Sequence, residues 1–291
     1  MSNSNTFLST QSMTDIFSNI RNTNGLCILG GGTFQGIDFE NAATLNSIPE
    51  LSLIEKRERY IDFGAAVKLS QILYTGRENI PPVLYDAVES IGTNALRNVA
   101  TIGGNICASV KEGGIKGTLW APLLALDALL EFKDCKNNST FLPFSKFKAV
   151  PEDTFLAKIR LPMNEYEISI FRRVGPASHI SQDSASYVFL ADTEKNSIID
   201  IKMVFAGPFS FRSAELENQI MYTKLPLSRA FIEDKVSAAE NIFNAKLEAT
   251  NKLIKDIKRN AFGYRNFDNF KKRIYLALNS KKARTSFVLA R

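Results

Sequence analysis

The chain is poor in the residues on which most metal and thiol chemistry depends. Among its 291 residues His179 is the single histidine, which excludes any catalytic triad or metal centre that needs two imidazoles. The three cysteines, Cys27, Cys107 and Cys135, are far apart and one short of the four thiolates that usually hold an iron–sulfur cluster. The chain is therefore expected to carry no metal and no cluster of its own. Cys27 and Cys107, in apolar or glycine-rich surroundings, read as small buried thiols. No run reaches the roughly 18 consecutive apolar residues of a membrane span. The start, MSNSNTFLSTQSMTDIF, lacks the basic stretch and apolar core of a signal peptide. A cytoplasmic protein without membrane contact is the expectation.

What is present is balanced. With 45% apolar and 23% charged residues, the composition suits a soluble globular protein of one large domain or two smaller ones. The net charge of +6 is unevenly placed. Residues 251–291 hold twelve Lys or Arg against Asp256 and Asp268, net +10, and the preceding 250 residues carry 24 basic against 28 acidic side chains, net −4. Nucleic-acid binding is one reading of such a tail. However, Leu253, Ile254, Ile257, Phe267, Phe270, Ile274, Leu276 and Leu278 interrupt it at roughly helical spacing. Packed helices with basic outer faces are the preferred reading, and no nucleic-acid partner is expected.

Along the chain, residues 25–29 form a short apolar run closed by Gly30, Gly31 and Gly32, as a buried strand entering a tight turn would be. Residues 60–64 read as a strand. Residues 67–74 and 81–91 read as amphipathic helices, the second with a proline in its first turn. Residues 118–132, the longest apolar segment, suit a short helix running into a strand. Strands are expected at 154–161, 167–173, 185–192 and 198–206, the last two joined in a hairpin through Glu194, Lys195 and Asn196. Beyond Pro208 the pattern turns helical at 213–222 and 228–247, and the basic tail suggests about two more helices. A change of character near 165–180 marks a boundary, with domains expected at 1–170 and 171–291.

Two glycine-rich segments carry the chemistry: ILGGGTFQ at 28–35 and ATIGGN at 100–105. Glycine tolerates positive φ and removes the Cβ, so successive backbone N–H groups can converge on an anion, as in many phosphate cradles. Two such turns suit one diphosphate gripped from both sides. Neither matches the usual templates: the dinucleotide fingerprint would need glycine where Gln35 stands, and a P-loop would need lysine where Ile37 stands.

The segment IGTNALRNVATIGGNI at 91–106 resembles the signature of the FAD-binding subunit or domain of molybdenum hydroxylases, the xanthine dehydrogenase and carbon monoxide dehydrogenase family. Residues 28–35 resemble that family's first flavin loop. TLNSIPEL at 44–51, residues 60–73, APLLALDA at 121–128, residues 154–162 and FRRVG at 171–175 fit as well. The resemblance covers residues 24–215 and extends only loosely into the tail.

It implies an α+β chain: a two-subdomain FAD-binding fold of the vanillyl-alcohol-oxidase (PCMH) type, then a smaller C-terminal domain of antiparallel sheet and helices. It implies no catalytic base and no metal ligand here. Ile28, Leu29, Gly30, Gly31, Gly32, Thr33, Phe34 and Gln35 would wrap the FAD diphosphate from one side. Thr101, Gly103, Gly104 and Asn105 would hold it from the other. Ile91 and Gly92 would lie by the adenine half or the cofactor's flank, and Phe155 and Leu156 by the isoalloxazine. Arg173 would stand where the family places a cation near the flavin ring, able to stabilise negative charge on its reduced edge. Where the family carries an acidic residue beyond Asn105, this chain has Gly117 and Thr118, and Thr118 takes that place by the flavin. After Val174 and Gly175, PASHI replaces a stretch that usually holds arginine, with His179 as a loop residue. The implied function is electron transfer: from a molybdopterin-containing subunit through an iron–sulfur subunit to FAD here, then to NAD+ or another acceptor. The alternative is a noncatalytic scaffold subunit of such a complex that has lost FAD.

Overall fold

A computed structural model of the chain describes residues 6–33, 39–111, 115–176 and 184–260, without the side chains of 109–111 and 246–260. The chain opens with strand β1 (Thr6–Leu8), helix α1 (Met13–Asn22) and strands β2 (Cys27–Leu29) and β3 (Asn41–Thr44). The three strands pair in parallel in the order β1-β3-β2. A capping box starts α1. The Ser12 hydroxyl accepts from the Asp15 N–H, and the Asp15 carboxylate accepts from the Gln11 and Ser12 N–H groups.

A five-stranded antiparallel sheet follows, built from β4 (Ile54–Lys56), β5 (Tyr60–Gly64), β6 (Leu129–Asp134), β7 (Ser139–Pro143) and β8 (Thr154–Pro162) in the order β4-β5-β8-β6-β7. Its period-2 pattern separates the faces. Ile61, Phe63, Leu130, Phe132, Ile159 and Leu161 are buried on one side. On the other, Arg160 donates two hydrogen bonds of 2.8 Å to Asp62 and lies over the Tyr60 ring. Five helices run between β5 and β6: α2 (Leu69–Tyr74), α3 (Pro82–Glu89), α4 (Asn94–Arg97), α5 (Ile102–Lys111) and α6 (Trp120–Ala125).

A four-stranded antiparallel sheet comes next: β9 (Ile168–Val174), β10 (Ala185–Glu194), β11 (Ser197–Ala206) and β12 (Ser210–Arg212), in the order β12-β11-β10-β9. The turn expected between β10 and β11 is present. Lys195 (φ 49°) and Asn196 (φ 60°) are both left-handed, the geometry that suits tight hairpins. Helices α7 (Ala214–Ile220) and α8 (Arg229–Asn260) close the described chain, and the remainder of the basic tail and His179 lie outside it.

By packing, the chain divides into two units. One comprises the chain up to Thr193 together with Ile199–Ser213; the other comprises Glu194–Ile198 and the chain from Ala214. The step from the five-stranded to the four-stranded sheet falls between Pro162 and Ile168. The first unit's core runs across that step, because Phe171, Val188, Leu190 and Val204 belong to the same buried cluster as Val83 and Leu84 of α3. In the second unit, the Tyr222 N–H donates to the Ile198 carbonyl at 2.7 Å, the Ile198 N–H donates to the Thr223 carbonyl at 3.1 Å, and α7 packs on α8. No described helix is long and apolar enough to cross a membrane.

One charged cluster ties β11 and β12 to the end of α6. Lys202, 8% exposed, donates to Asp127 at 2.6 Å, and Arg212 donates to the other Asp127 oxygen at 2.6 Å. Burial pushes the Asp127 carboxyl up, but the hydrogen bonds and charges of Lys202 and Arg212 outweigh it and hold its pKa below the ordinary value. A carboxyl depressed by folding stabilises the fold above its unfolded pKa of about 4, and that contribution is lost as pH falls through the folded value. Denaturation of wild type and Asp127→Asn is expected to show a stability gap fully developed above about pH 4 that closes on further acidification. A gap independent of pH would show that the charge of Asp127 contributes nothing.

Candidate functional site

A cavity of about 710 Å³ opens in the first unit, within the ~300–1,000 Å³ of typical ligand clefts. Its lining draws on segments remote in sequence. Ile28, Leu29, Gly30, Gly31, Gly32 and Thr33 come from the end of β2 and its turn; Ile91 and Gly92 from the exit of α3; Thr101, Gly103, Gly104 and Asn105 from the start of α5. Thr118, then Phe155 and Leu156 of β8, and Arg173 of β9 complete the residues expected from the sequence. Phe34 and Gln35 lie outside the described residues.

The glycines are required first by packing. A Cβ on Gly31 would stand 1.9 Å from the Val99 carbonyl oxygen, and one on Gly30 would stand 2.2 Å from the Thr101 hydroxyl oxygen. A Cβ on Gly103 would meet the Ala65 carbonyl at 2.7 Å. The two glycine segments thus lie backbone against backbone. Gly32 differs: nothing lies within 4 Å of a Cβ there, but its φ is +63°, a conformation that disfavours other residues.

The second segment is not the open turn that its sequence suggested. Residues 102–105 form the first turn of α5, and its N–H groups are used within the protein. Ile102 donates to Val67, Gly103 to Ala65, and Gly104 to the Thr101 hydroxyl. By contrast, the N–H groups of Gly31, Gly32 and Thr33 pair with no protein acceptor among the described residues. Among the described residues, the backbone donors left open to an anion therefore lie in the first segment, and the second offers side chains. The Thr101 hydroxyl accepts from Gly104 and keeps its own proton to donate. Asn105 accepts from the Leu119 N–H at 3.2 Å through Oδ1, which fixes the amide's orientation and leaves its NH2 group as the donor.

Arg173 is half-buried and donates to the Pro176 carbonyl at 2.7 Å. Burial lowers its pKa, yet a guanidinium stays charged, so the cavity holds a fixed cation. Sequence reasoning passed over the turn at 149–154, which lines the cavity with Glu152 and Asp153, and over Cys27, Leu45, Ala65 and Cys107. These residues carry no motif. They reach the site because β2, the ends of β3 and β5, the turn before β8, and α5 meet around the cavity.

A family model described as the FAD binding domain in molybdopterin dehydrogenase matches residues 3–164. The chain belongs to this family. Xanthine dehydrogenase of Oryza sativa subsp. japonica is 23% identical over 252 residues, covering 76% of this chain but only 18% of the rice protein. CO dehydrogenase from Oligotropha carboxidovorans superposes with a TM-score of 0.70 at 16% identity, covering 82% of this chain and 87% of that chain. Quinoline 2-oxidoreductase from Pseudomonas putida 86 gives 0.66 at 12% identity, covering 76% and 81% respectively. These likenesses establish the fold, the α+β FAD-binding architecture with its C-terminal sheet and helices. A transposase family model matches residues 228–274, a stretch that includes α8, and none of its described residues lines the cavity.

The residues present fit a flavin dinucleotide. Unpaired amides sit beside a backbone surface with no room for side chains, and apolar walls continue from them. The packing account also separates the glycines. Gly31→Ala is expected to cost about 1–3 kcal/mol or more, because backbone must move to admit the methyl group. Gly32→Ala meets only left-handed strain of about 1–2 kcal/mol. Chemical denaturation of the two variants checks this order, and its reversal would show that the approach to Val99 is not what demands glycine at position 31.

Proposed function

We propose that this chain is the electron-transferring flavoprotein subunit of a molybdenum hydroxylase of the xanthine dehydrogenase kind. It takes electrons from an iron–sulfur partner supplied by a molybdopterin-containing partner, and passes them to NAD+ or another acceptor. The observation that carries this reading is the meeting of the two glycine segments and Arg173 in a single cavity, within a chain of the FAD-binding family. With three cysteines and one histidine in its sequence, cluster and molybdenum chemistry is assigned to partners.

Bound FAD supplies reversible electron and hydride chemistry. In this proposal the amides of Gly31, Gly32 and Thr33 receive the diphosphate, and the Thr101 hydroxyl and Asn105 NH2 donate from the facing side. Phe155 and Leu156, both nearly fully buried, keep water from the isoalloxazine end. Arg173 supplies positive charge toward the reduced ring without any proton transfer. No side chain of this chain acts as a base.

The purified chain is expected to show the two-banded visible spectrum of an oxidised flavin, or to acquire it on adding FAD, and to release FAD on heating. A folded, colourless chain that takes up no added FAD would overturn the reading and leave a scaffold. Asn105→Asp retains the acceptor for Leu119 but loses the donor and adds negative charge. FAD affinity is expected to fall about 10- to 100-fold, the loss of one charge-assisted hydrogen bond, with the thermal midpoint nearly unchanged. Fluorescence titration checks it.

A further inference from the structure

We infer that Arg97, which stands behind the cavity wall, is a positioning residue for the cofactor, an assignment that rests on the FAD reading above. Arg97 is 9% exposed. Its Nη1 donates to the carbonyls of Ile91 at 2.8 Å, Gly92 at 2.9 Å and Glu89 at 3.1 Å, and its Nη2 donates to the Asn94 side chain. No carboxylate pairs with it among the described residues, and its Nε is buried without a hydrogen-bond partner. A buried cation held only by carbonyl dipoles is expensive, so its position needs a physical return.

Part of that return is local. Glu89 ends α3, and a cation at a helix C-terminus is favourable. That accounts for one of the three carbonyls. Ile91 and Gly92 lie past the helix, and both line the cavity. Gly92 is left-handed at φ +52°, and a Cβ there would be 2.7 Å from a Leu96 methyl, so this turn is folded tightly onto α4. Nη1 of Arg97 gathers its carbonyls inward.

Arg97 also closes α4, directly before the residues that meet the first glycine segment. The Val99 carbonyl presses on Gly31, and Ala100 is held on both sides, its N–H to Leu96 and its carbonyl to the Leu69 N–H. One side chain therefore references two parts of the cavity wall to each other: the Ile91 and Gly92 turn that it grips, and the Val99 contact two residues beyond it in the chain. Lysine keeps the charge as a single point and does not span both the carbonyls met by Nη1 and the Asn94 side chain met by Nη2.

The test measures FAD dissociation constants by fluorescence for wild type, Arg97→Lys and Arg97→Met, with thermal midpoints of the cofactor-free proteins and hydrogen exchange at residues 89–93. Arg97→Met is expected to weaken FAD about 100-fold and Arg97→Lys about 10-fold, because the turn at 91–92 then holds its binding-competent shape only part of the time and binding must restore it, with faster exchange at 89–93 in both. The graded recovery with lysine separates positioning from general loosening, which would lower the midpoint and leave the affinity of the folded protein unchanged. If Arg97→Met does not fold, Arg97→Lys decides. Wild-type binding matched within twofold by a folded variant would overturn the role of Arg97 alone. A wild-type chain that binds no FAD would overturn the proposed function, and this assignment with it.

Discussion

The close approach of the Gly31 backbone to the Val99 carbonyl is the contact on which the site depends. It joins a turn after a parallel strand to the connection between two short helices, and it tolerates no Cβ. Because Gly30 also lies against Thr101 and Gly104, with room for no Cβ, the two segments are set against each other by hard repulsion as much as by attraction. Such a joint is insensitive to side-chain rotamers. It suits a surface that must present amide groups in a fixed direction.

The distribution of hydrogen bonds then decides which segment keeps backbone donors open to an anion. Backbone donors that begin a helix are ready anion ligands in general, but α5 spends its first ones on Val67, Ala65 and Thr101. Those bonds anchor α5 to the chain after β5. Among the described residues the unpaired amides lie in the first segment, and the second offers the Thr101 hydroxyl and an Asn105 amide oriented by Leu119. Positive charge is kept apart from both: Arg173 stands in the cavity wall, and Arg97 is buried behind it.

Much of the architecture was legible because it is periodic. The alternation of β8, β10 and β11 and the Lys195 and Asn196 turn are local properties, set by side-chain period and by which residues accept positive φ. Helix α1 was less visible. Its Ser12 and Asp15 capping box is a short polar signal beside a weakly apolar stretch. Strand β3, with Asn41, Ala42, Ala43 and Thr44, has little strand propensity and is held by pairing on both sides with β1 and β2. The segment 100–105 read as a turn because two adjacent glycines usually break a helix, yet here the absence of Cβ lets α5 start against Ala65.

By itself the sequence determined the helix and strand rhythm, the lack of ligands for a cluster, and the two glycine segments whose motif resembles a flavin-binding signature. These follow from residue type and spacing, which the chain carries wherever it goes. Tertiary structure alone decided which amides remain unpaired, that Glu152, Asp153, Cys27 and Cys107 share the cavity, and that Arg97 faces carbonyls rather than solvent or a carboxylate. Each of these depends on which groups meet across tens of residues. Hydrogen bonding and exclusion act between atoms in space, and no local pattern encodes their partners.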